Sequence, residues 1–467
     1  MTIDTKSIFD QCPGPSVETP AGVEPTPALL PPGGARSDWK TMLAPGARPA
    51  RIVAFAATAI FLLCIVVRCT LVIHSPAYAQ APYGESLRVA QSLVKGQGFS
   101  NPYLIPTGPT AHLTPFLPLL QAAILSLTHD GNSLRWTLFF VAVFFTSASW
   151  ALLPMVAAEL GLPVVIGIMA GTAGAVSPTF FDMDGSWMPS TGAFALLGVL
   201  IVVARNKCSP TPRLGFCCGL ICGLAMLIHA TLALPILGYW IFLEKTVQVK
   251  AGLVRIARFS GPMLAGVTLV LLPWVVRNRI VLGHWVWLRS NAGFNFFLSN
   301  RDGALADVDS NIFRKNGDVP NPYSSLSEAQ LVARLGEIGY NQRCWQMFKA
   351  WVREHPHQFV KLTAERFKLF WLPARRTGSG RAGEELLLLL ALCGSALVWR
   401  YGQLPGRAVG ITLLSYPLIY YFVEVHDRYR YPLRPILFLC AAIALWELVL
   451  RSRNSLRSLE NTSVRPS

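Results

Sequence analysis

The chain has 467 residues, of which 52% are hydrophobic and only 14% charged, whereas a soluble chain carries about 25% charged residues. Apolar runs near the length of a bilayer span recur along it, which excludes a soluble globular protein and indicates a polytopic membrane protein. The net charge of +16 does not require nucleic acid, because an excess of Lys and Arg in such a chain marks cytoplasmic loops and contact with anionic lipid.

Residues 1–48 are rich in Pro, Gly and Ala without an apolar period and read as a disordered cytoplasmic tail. The first apolar run, 52–73, is followed by Ala77-Tyr78-Ala79, which resembles a signal-peptide cleavage site. A polar lead of about 50 residues argues instead for an uncleaved first span. Further spans are expected at 135–155, 162–180, 190–204, 214–229, 231–243, 260–276, 384–399, 407–423 and 432–450, which makes ten. One more run, 116–127, is short for a span and carries Pro115 and Pro118 at its start.

Charge parity decides that run. With the basic tail (Arg36, Lys40, Arg48, Arg51) in the cytoplasm, a non-crossing 116–127 leaves three basic connections and the C-terminal basic tail inside. These are Arg205/Lys207/Arg213, Lys245/Lys250/Arg255/Arg258 and Arg400/Arg407, with Arg451/Arg453/Arg457 at the end. A crossing would put all of them outside. The run therefore reads as an interfacial or re-entrant helix on the outer side. Both termini are then cytoplasmic, and the first outer loop (74–134), Asp182/Asp184 and the segment 277–383 face outward.

The expected organisation is a membrane core over 49–276, a small helical outer subdomain over 277–383, C-terminal spans over 384–450 and a cytoplasmic tail over 451–467. In the subdomain, Ser325-Leu-Ser-Glu328 fits a capping box. Leu331, Leu335 and Ile338, then Trp345, Phe348, Trp351 and Val352, recur at helical spacing, and Phe359 to Trp371 forms a second amphipathic pattern. Most of the ten cysteines lie in apolar runs and none forms a CxxC pair, so they read as buried small hydrophobes; Cys344 is alone in the polar segment.

Outward polar residues near the membrane are the candidates for chemistry. Glu85 opens an amphipathic helix whose apolar face is Leu87, Val89, Ala90, Leu93 and Val94, ended by Gly96 and Gly98. An acid there can be a dipole partner of the helix start or a general base held at the bilayer surface. His112, in the turn "TGPTAHLTP", can bind phosphate or a metal, or anchor the turn. Asp182 and Asp184, spaced by one residue, can bind a divalent cation or be a solvated loop. The segment "PWVVRNRIVLGHWVWLRSNAGFNFFLSN" brings Arg277, Asn278, Arg279, Arg289 and Asn291 beside aromatic residues, which suits phosphate or interfacial anchoring. In "EVHDRYRYPLRP", Arg428, Arg430 and Arg434, with Tyr429 between the first two, put positive charge on the outer side, against the topological bias, where an anion such as a lipid-linked phosphate would balance it.

In order and spacing, "YGESLRVAQSLVKGQGFSNPY…TGPTAHLTPFLP", the 273–300 segment, "GEIGYN", "REHPHQFVKLTAERFKLFW" and "HDRYRYPLRP" resemble GT-C membrane glycosyltransferases. The nearer resemblance is to the bacterial branch related to protein O-mannosyltransferases and the lipid A aminoarabinose transferase, over roughly residues 50 to 450. It implies an all-α GT-C-like fold and an enzyme of the inner membrane. That enzyme would move a sugar from a polyprenyl-phosphate donor to a lipid, glycan or protein acceptor on the outer face, usually with inversion. Membrane lipids are then its surroundings, and nucleic acid has no part. Glu85 stands at the place of the first-loop catalytic base, where many members carry aspartate. A second acid common near the fourth span is absent from Trp187-Met188-Pro189-Ser190, and Asp182 or Asp184 is the substitute. After Asn291-Ala292-Gly293, where relatives often have an acid, the chain has Asn295. No cofactor is fixed by this reading, and a divalent cation at Asp182/Asp184 stays open. The rival classes are a transporter or flippase for lipid-linked glycans, a glycan polymerase or ligase of the same superfamily, and a non-catalytic scaffold.

Overall fold

The computed structural model describes residues 50–75, 84–128, 131–177, 187–208, 211–243, 252–312, 320–372, 379–401 and 406–463. They form a nearly all-helical molecule, with only two isolated bridges, Ser100 to Pro109 and Asp307 to Val425, among the described residues. In a bilayer each backbone N–H and C=O needs a partner within the chain, and a helix provides it locally.

Six described helices are long and apolar enough to cross a membrane: Ala50–His74, Gly131–Glu159, Pro189–Asn206, Ser260–Leu282, Gly380–Arg400 and Asp427–Arg453. The chain is an all-α polytopic membrane protein. Three more expected spans are shorter apolar helices, Val164–Val176, Pro212–Ile228 and Ala230–Phe242. The expected span 407–423 is instead a nine-residue helix, Arg407–Ser415, followed by a 3-10 stretch, Tyr416–Tyr421. Pro417 explains the change, since it has no N–H for the α-helical ladder and crowds the preceding turn. Phe116–Leu127 is a twelve-residue helix with Pro115 at its N-cap.

In chain order, α1 is Ala50–His74, α2 Glu85–Val94, α3 Phe116–Leu127, α4 Gly131–Ala151, α5 Leu153–Glu159 and α6 Val164–Val176. Then come α7 Trp187–Cys208, α8 Pro212–Ile228, α9 Ala233–Gly238, α10 Gly252–Leu282, α11 Ala292–Ser299 and α12 Val308–Ile312. The last six are α13 Leu326–Glu354, α14 Pro356–Trp371, α15 Ser379–Tyr401, α16 Arg407–Ser415, α17 Asp427–Arg430 and α18 Arg434–Ser463.

Lipid tails are as apolar as leucine, so helices in a membrane associate by close packing of small residues. The α8–α10 pair shows it. A β-carbon built at Gly219 would lie 2.0 Å from the Met263 carbonyl oxygen, and one at Gly266 would lie 2.4 Å from that of Phe216. The α15–α18 pair closes in the same way, with Gly394 against the Cys440 carbonyl.

The polar segments meet at one end of this bundle. The loop 96–115 folds back on itself, its Asn101 side chain accepting from the Thr107 and Gly108 amides at 3.0 and 2.9 Å. Ser290 N–H donates to the Ala111 carbonyl at 3.0 Å, and Leu104 N–H to the Pro322 carbonyl at 3.1 Å. Val308 N–H donates to the Val425 carbonyl at 3.0 Å. The loops around 100, 290, 307, 322 and 425 thus form one continuous layer.

Within that layer α13 begins as a capped helix, the Ser325 hydroxyl accepting from the Glu328 amide. Of its expected apolar stripe, Phe348 and Trp351 are buried and Leu331, Ile338 and Val352 half-buried. Val332, Tyr340, Cys344, Phe348 and Trp351 are buried, whereas Leu335 and Trp345 are exposed. Gly336, at φ 70° and ψ 162°, breaks the helix and rotates the two halves relative to each other. Only glycine reaches that region without strain. α14 buries Leu362, Arg366 and Phe370, one per turn.

Candidate active site

A cavity of about 390 Å³ opens in this polar layer, within the usual range for small-molecule sites. Four stretches of chain line it: Ser86 with Leu113–Thr114 and Leu117–Pro118; His229 to Leu234; Leu288 to Ser299; and Ile419 to Tyr429. Its polar groups include Arg289, Asn291, Asn295, His229, Thr231, Glu424 and Tyr429.

Of the sequence candidates, Arg289, Asn291 and Tyr429 line the cavity. Arg289 is exposed there; its Nε donates to the His112 carbonyl at 2.8 Å. Its Nη groups make no hydrogen bond among the described residues, so they are free to meet an anion. The Arg428 guanidinium lies 5.2 Å from the centre of the Tyr429 ring, which stacks on Tyr420 at 4.6 Å, and Tyr420 stacks on Phe370 at 5.8 Å. That aromatic column holds a cation beside the cavity wall.

Glu85 is the first residue of α2, after Gly84 at φ 91°. It is partly buried and makes no side-chain hydrogen bond among the described residues. Ser86, the next residue, lines the cavity. Glu85 is close enough to raise the Tyr323 phenol after burial, the larger cause, and it contributes a smaller rise at Tyr103.

Four candidates are placed elsewhere. His112 is enclosed behind the wall: its Nδ1 meets the Tyr103 hydroxyl at 2.9 Å and its Nε2 the Tyr323 hydroxyl. A neutral imidazole has one N–H, so one phenol accepts from it and the other donates. Burial, and then the Arg289 charge, push this imidazole well below its ordinary range, which keeps it neutral. Its ring nitrogens are therefore engaged in anchoring the loop, and it does not line the cavity. Arg277 donates from Nη1 to the Thr110 carbonyl at 2.6 Å and from Nη2 to the Phe99 carbonyl at 2.7 Å, stacked against Phe99 and Trp274. Asn278 accepts from Arg277 and donates to the Val286 carbonyl. Arg430 is buried, donates to the Trp371 carbonyl at 3.2 Å and pairs with Glu384 at 3.4 Å, which also takes Arg434 at 3.0 Å. These cations hold the fold at the rim. Asp182 and Asp184 lie outside the described residues.

Three functional-looking groups escaped the sequence reading. Glu337 is buried and accepts from the Thr110 hydroxyl, the Ala111 amide at 2.7 Å and the Ser290 hydroxyl. It is the clamp between the 107–115 turn and the 290 segment. Burial raises its carboxyl above the ordinary value, with the three hydrogen bonds working the other way. Its sequence signal was an acid three and seven residues ahead of the buried Tyr340 and Cys344, on an otherwise apolar face. Glu424 lines the cavity, and His229 reaches it from the break between α8 and the following 3-10 turn. Glu424 opens the "EVHDRYRYPLRP" cluster but was not singled out within it, and His229 had no local pattern to mark it.

No protein-family model matches the chain, and no curated protein matches it in sequence. Solved structures do match. The oligosaccharyltransferase of Archaeoglobus fulgidus in the apo form aligns at TM-score 0.50 and 15% identity, covering 88% of this chain and 52% of that one. The same enzyme in complex with Zn and sulfate aligns at 0.50 and 15%, covering 86% and 51%. The chain shares its membrane fold with that archaeal enzyme. The chain spans about half the length of that archaeal enzyme, so the likeness describes a shared membrane architecture.

Among the described residues no three His, Cys, Asp or Glu side chains gather as a metal site would require. Among the described residues, the carboxylate of Glu424 is in the cavity wall, and Glu85 precedes the lining residue Ser86 in the chain. The cavity can therefore offer fixed cations to an anion and separate carboxylates to hydrogen-bond donors.

Proposed function

We propose that the chain is a membrane glycosyltransferase that moves a sugar from a polyprenyl-phosphate donor to an acceptor on the outer face of the cell membrane. The observation that carries this reading is convergence. The first-loop helix that starts at Glu85, the Arg289–Asn291 segment and the Arg428–Tyr429 corner, over 300 residues apart in sequence, bound one cavity in a fold shared with an oligosaccharyltransferase. Sulfate bound to the archaeal enzyme is consistent with an anion site in this fold.

In the proposed step the acceptor's hydroxyl or amine attacks the anomeric carbon. Its proton goes to the Glu85 carboxylate as the new bond forms and the anomeric carbon–oxygen bond to phosphate breaks. The electron pair leaves with polyprenyl phosphate, whose growing charge is stabilised by Arg289, with Arg428 held beside it by the aromatic column. Arg277 and Arg430 act indirectly by holding the cavity walls. A divalent cation, with Asp182 and Asp184 as ligands, remains part of the proposal, as zinc was bound in the archaeal structure. Charge parity of the loops supports an outward-facing cavity with both termini in the cytoplasm. A lipid, glycan or protein would each serve as acceptor.

Incubation of the purified protein with a panel of polyprenyl-phosphate sugars and acceptors should release free polyprenyl phosphate. Glu85→Gln should lower the rate by about 10²–10⁴-fold, the range for loss of a general base, with folding intact. Full activity of that variant would remove Glu85 as the base.

A further inference from the structure

The cavity wall contains a carboxylate that the proposed chemistry does not use. Glu424 follows Val423, both lining residues, in the turn before α17. Its backbone N–H donates to the Ser299 hydroxyl at 2.9 Å, and Val425 next to it forms an isolated bridge with Asp307, donating to the Ala306 carbonyl at 2.9 Å. One carboxylate oxygen, Oε2, accepts from Asn311 Nδ2 at 2.7 Å. Asn311 is itself locked, accepting from the Leu305 amide at 2.9 Å and donating to the Leu305 carbonyl at 3.0 Å. The other oxygen, Oε1, makes no hydrogen bond among the described residues. The side chain is thus fixed in place with acceptor capacity left over, a preorganised acceptor in a cavity wall.

We propose that Glu424 recognises the transferred sugar by accepting hydrogen bonds from its O–H or N–H groups, and so decides which polyprenyl-phosphate sugars the cavity admits. The inference rests on the transferase reading. It follows from the charge layout: a phosphate is drawn to Arg289 in the 288–299 stretch of the lining and repelled by Glu424 in the 419–429 stretch, so a sugar phosphate enters with its phosphate on Arg289 and its sugar donors toward the carboxylate. A site built to bind a donor rejects an analogue that lacks it, because its own acceptor is then left unpaired. Burial raises the Glu424 carboxyl while the Asn311 hydrogen bond and the charges of Arg366, Arg301 and Arg428 work the other way, and a donor from the ligand would further favour the charged form.

The alternative is that Glu424 only holds Asn311 in place. Glu424→Gln separates the two, because glutamine keeps an oxygen for Asn311 and loses the charge. Binding of a short-chain polyprenyl phosphate, and of its hexose, amino-hexose and deoxyhexose esters, is measured for the wild type and the variant. Glu424→Gln should bind the sugar-free phosphate like the wild type, which also verifies folding, and should lose about 10–100-fold in affinity for the preferred sugar ester. The deoxyhexose lacking the recognised group should lose little. A larger loss for the amino-hexose identifies an ammonium as the recognised group, and equal losses identify a hydroxyl. Retention of the wild-type preference in Glu424→Gln overturns the role of Glu424 while leaving the transferase reading intact. Failure of the wild type to bind any polyprenyl-phosphate species overturns both.

Discussion

Glu337→Ala is the substitution that most directly tests how the loop layer is held. The carboxylate accepts from three buried or nearly buried donors, the Thr110 and Ser290 hydroxyls and the Ala111 N–H, joining parts of the chain 227 residues apart. Alanine leaves those donors facing a void. A buried donor without a partner costs about 1–3 kcal/mol, and hydroxyls can turn toward other acceptors while an amide cannot. The expected loss is about 3–6 kcal/mol, confined to the turn because the apolar bundle does not depend on it. Amide hydrogen exchange reads this directly. The Ala111 amide, hydrogen-bonded only to Glu337, should exchange about 10²–10⁴-fold faster in the variant, with protection of α8 and α10 unchanged. Glu337→Gln, which keeps the shape and one acceptor oxygen, should fall between. The folded carboxyl sits above its ordinary 4.5, so the protonated form is the better tolerated one. Stability from this group is full below about 4.5 and declines as pH rises through the folded value, and Glu337→Gln should lack that slope. Unchanged exchange at Ala111 in Glu337→Ala would refute the clamp.

Two further substitutions probe other parts of the structure. His112→Phe keeps the ring among Tyr103, Phe294 and Tyr323 but removes both nitrogens, and thermal unfolding in detergent should show a loss of about 2–4 kcal/mol from the two orphaned phenols. Because the His112 value is depressed below 6.5, the stability it gives is present above that pH and lost as pH falls toward the folded value. The phenylalanine variant should not show that acid loss; an identical pH profile would contradict a neutral buried imidazole. Gly219→Ala places a β-carbon against the Met263 carbonyl and should cost about 1–3 kcal/mol by forcing α8 and α10 apart, whereas Gly261→Ala, whose β-carbon meets nothing within 4 Å, should be near neutral. Equal melting temperatures for the two would remove close packing as the reason for the glycine.

What could be read from the chain and what could not divides by range. The helix 116–127, the Ser325 cap and the amphipathic start at Glu85 were legible because their signals lie within one or two turns. The stripe on α13 was legible in part, with Phe348 and Trp351 buried as expected; Leu335 and Trp345 are exposed because one glycine with positive φ changes the phase of a helix, and a periodic pattern carries no mark of that. The break of 407–423 did have a local mark, Pro417, hidden inside a run of apolar residues. The arginines were the hardest. In sequence, Arg277, Arg289, Arg428 and Arg430 are alike, but Arg277 faces backbone carbonyls and Arg430 faces Glu384, while Arg289 faces the cavity. Each partner lies far along the chain, and a single sequence does not show which pairs meet. The same holds for Glu337 and Glu424.

The bridge between Asp307 and Val425 has a consequence for how the molecule is made. The wall from Tyr420 to Tyr429 is contributed by residues that leave the ribosome after nearly all the bundle, and it closes only when it docks on a segment synthesised more than a hundred residues earlier. A nascent chain halted before that point lacks the 419–429 wall and so has no enclosed chamber. The segment that leads into the last helix therefore completes the chamber, and a chain stalled before that segment could not yet hold a substrate.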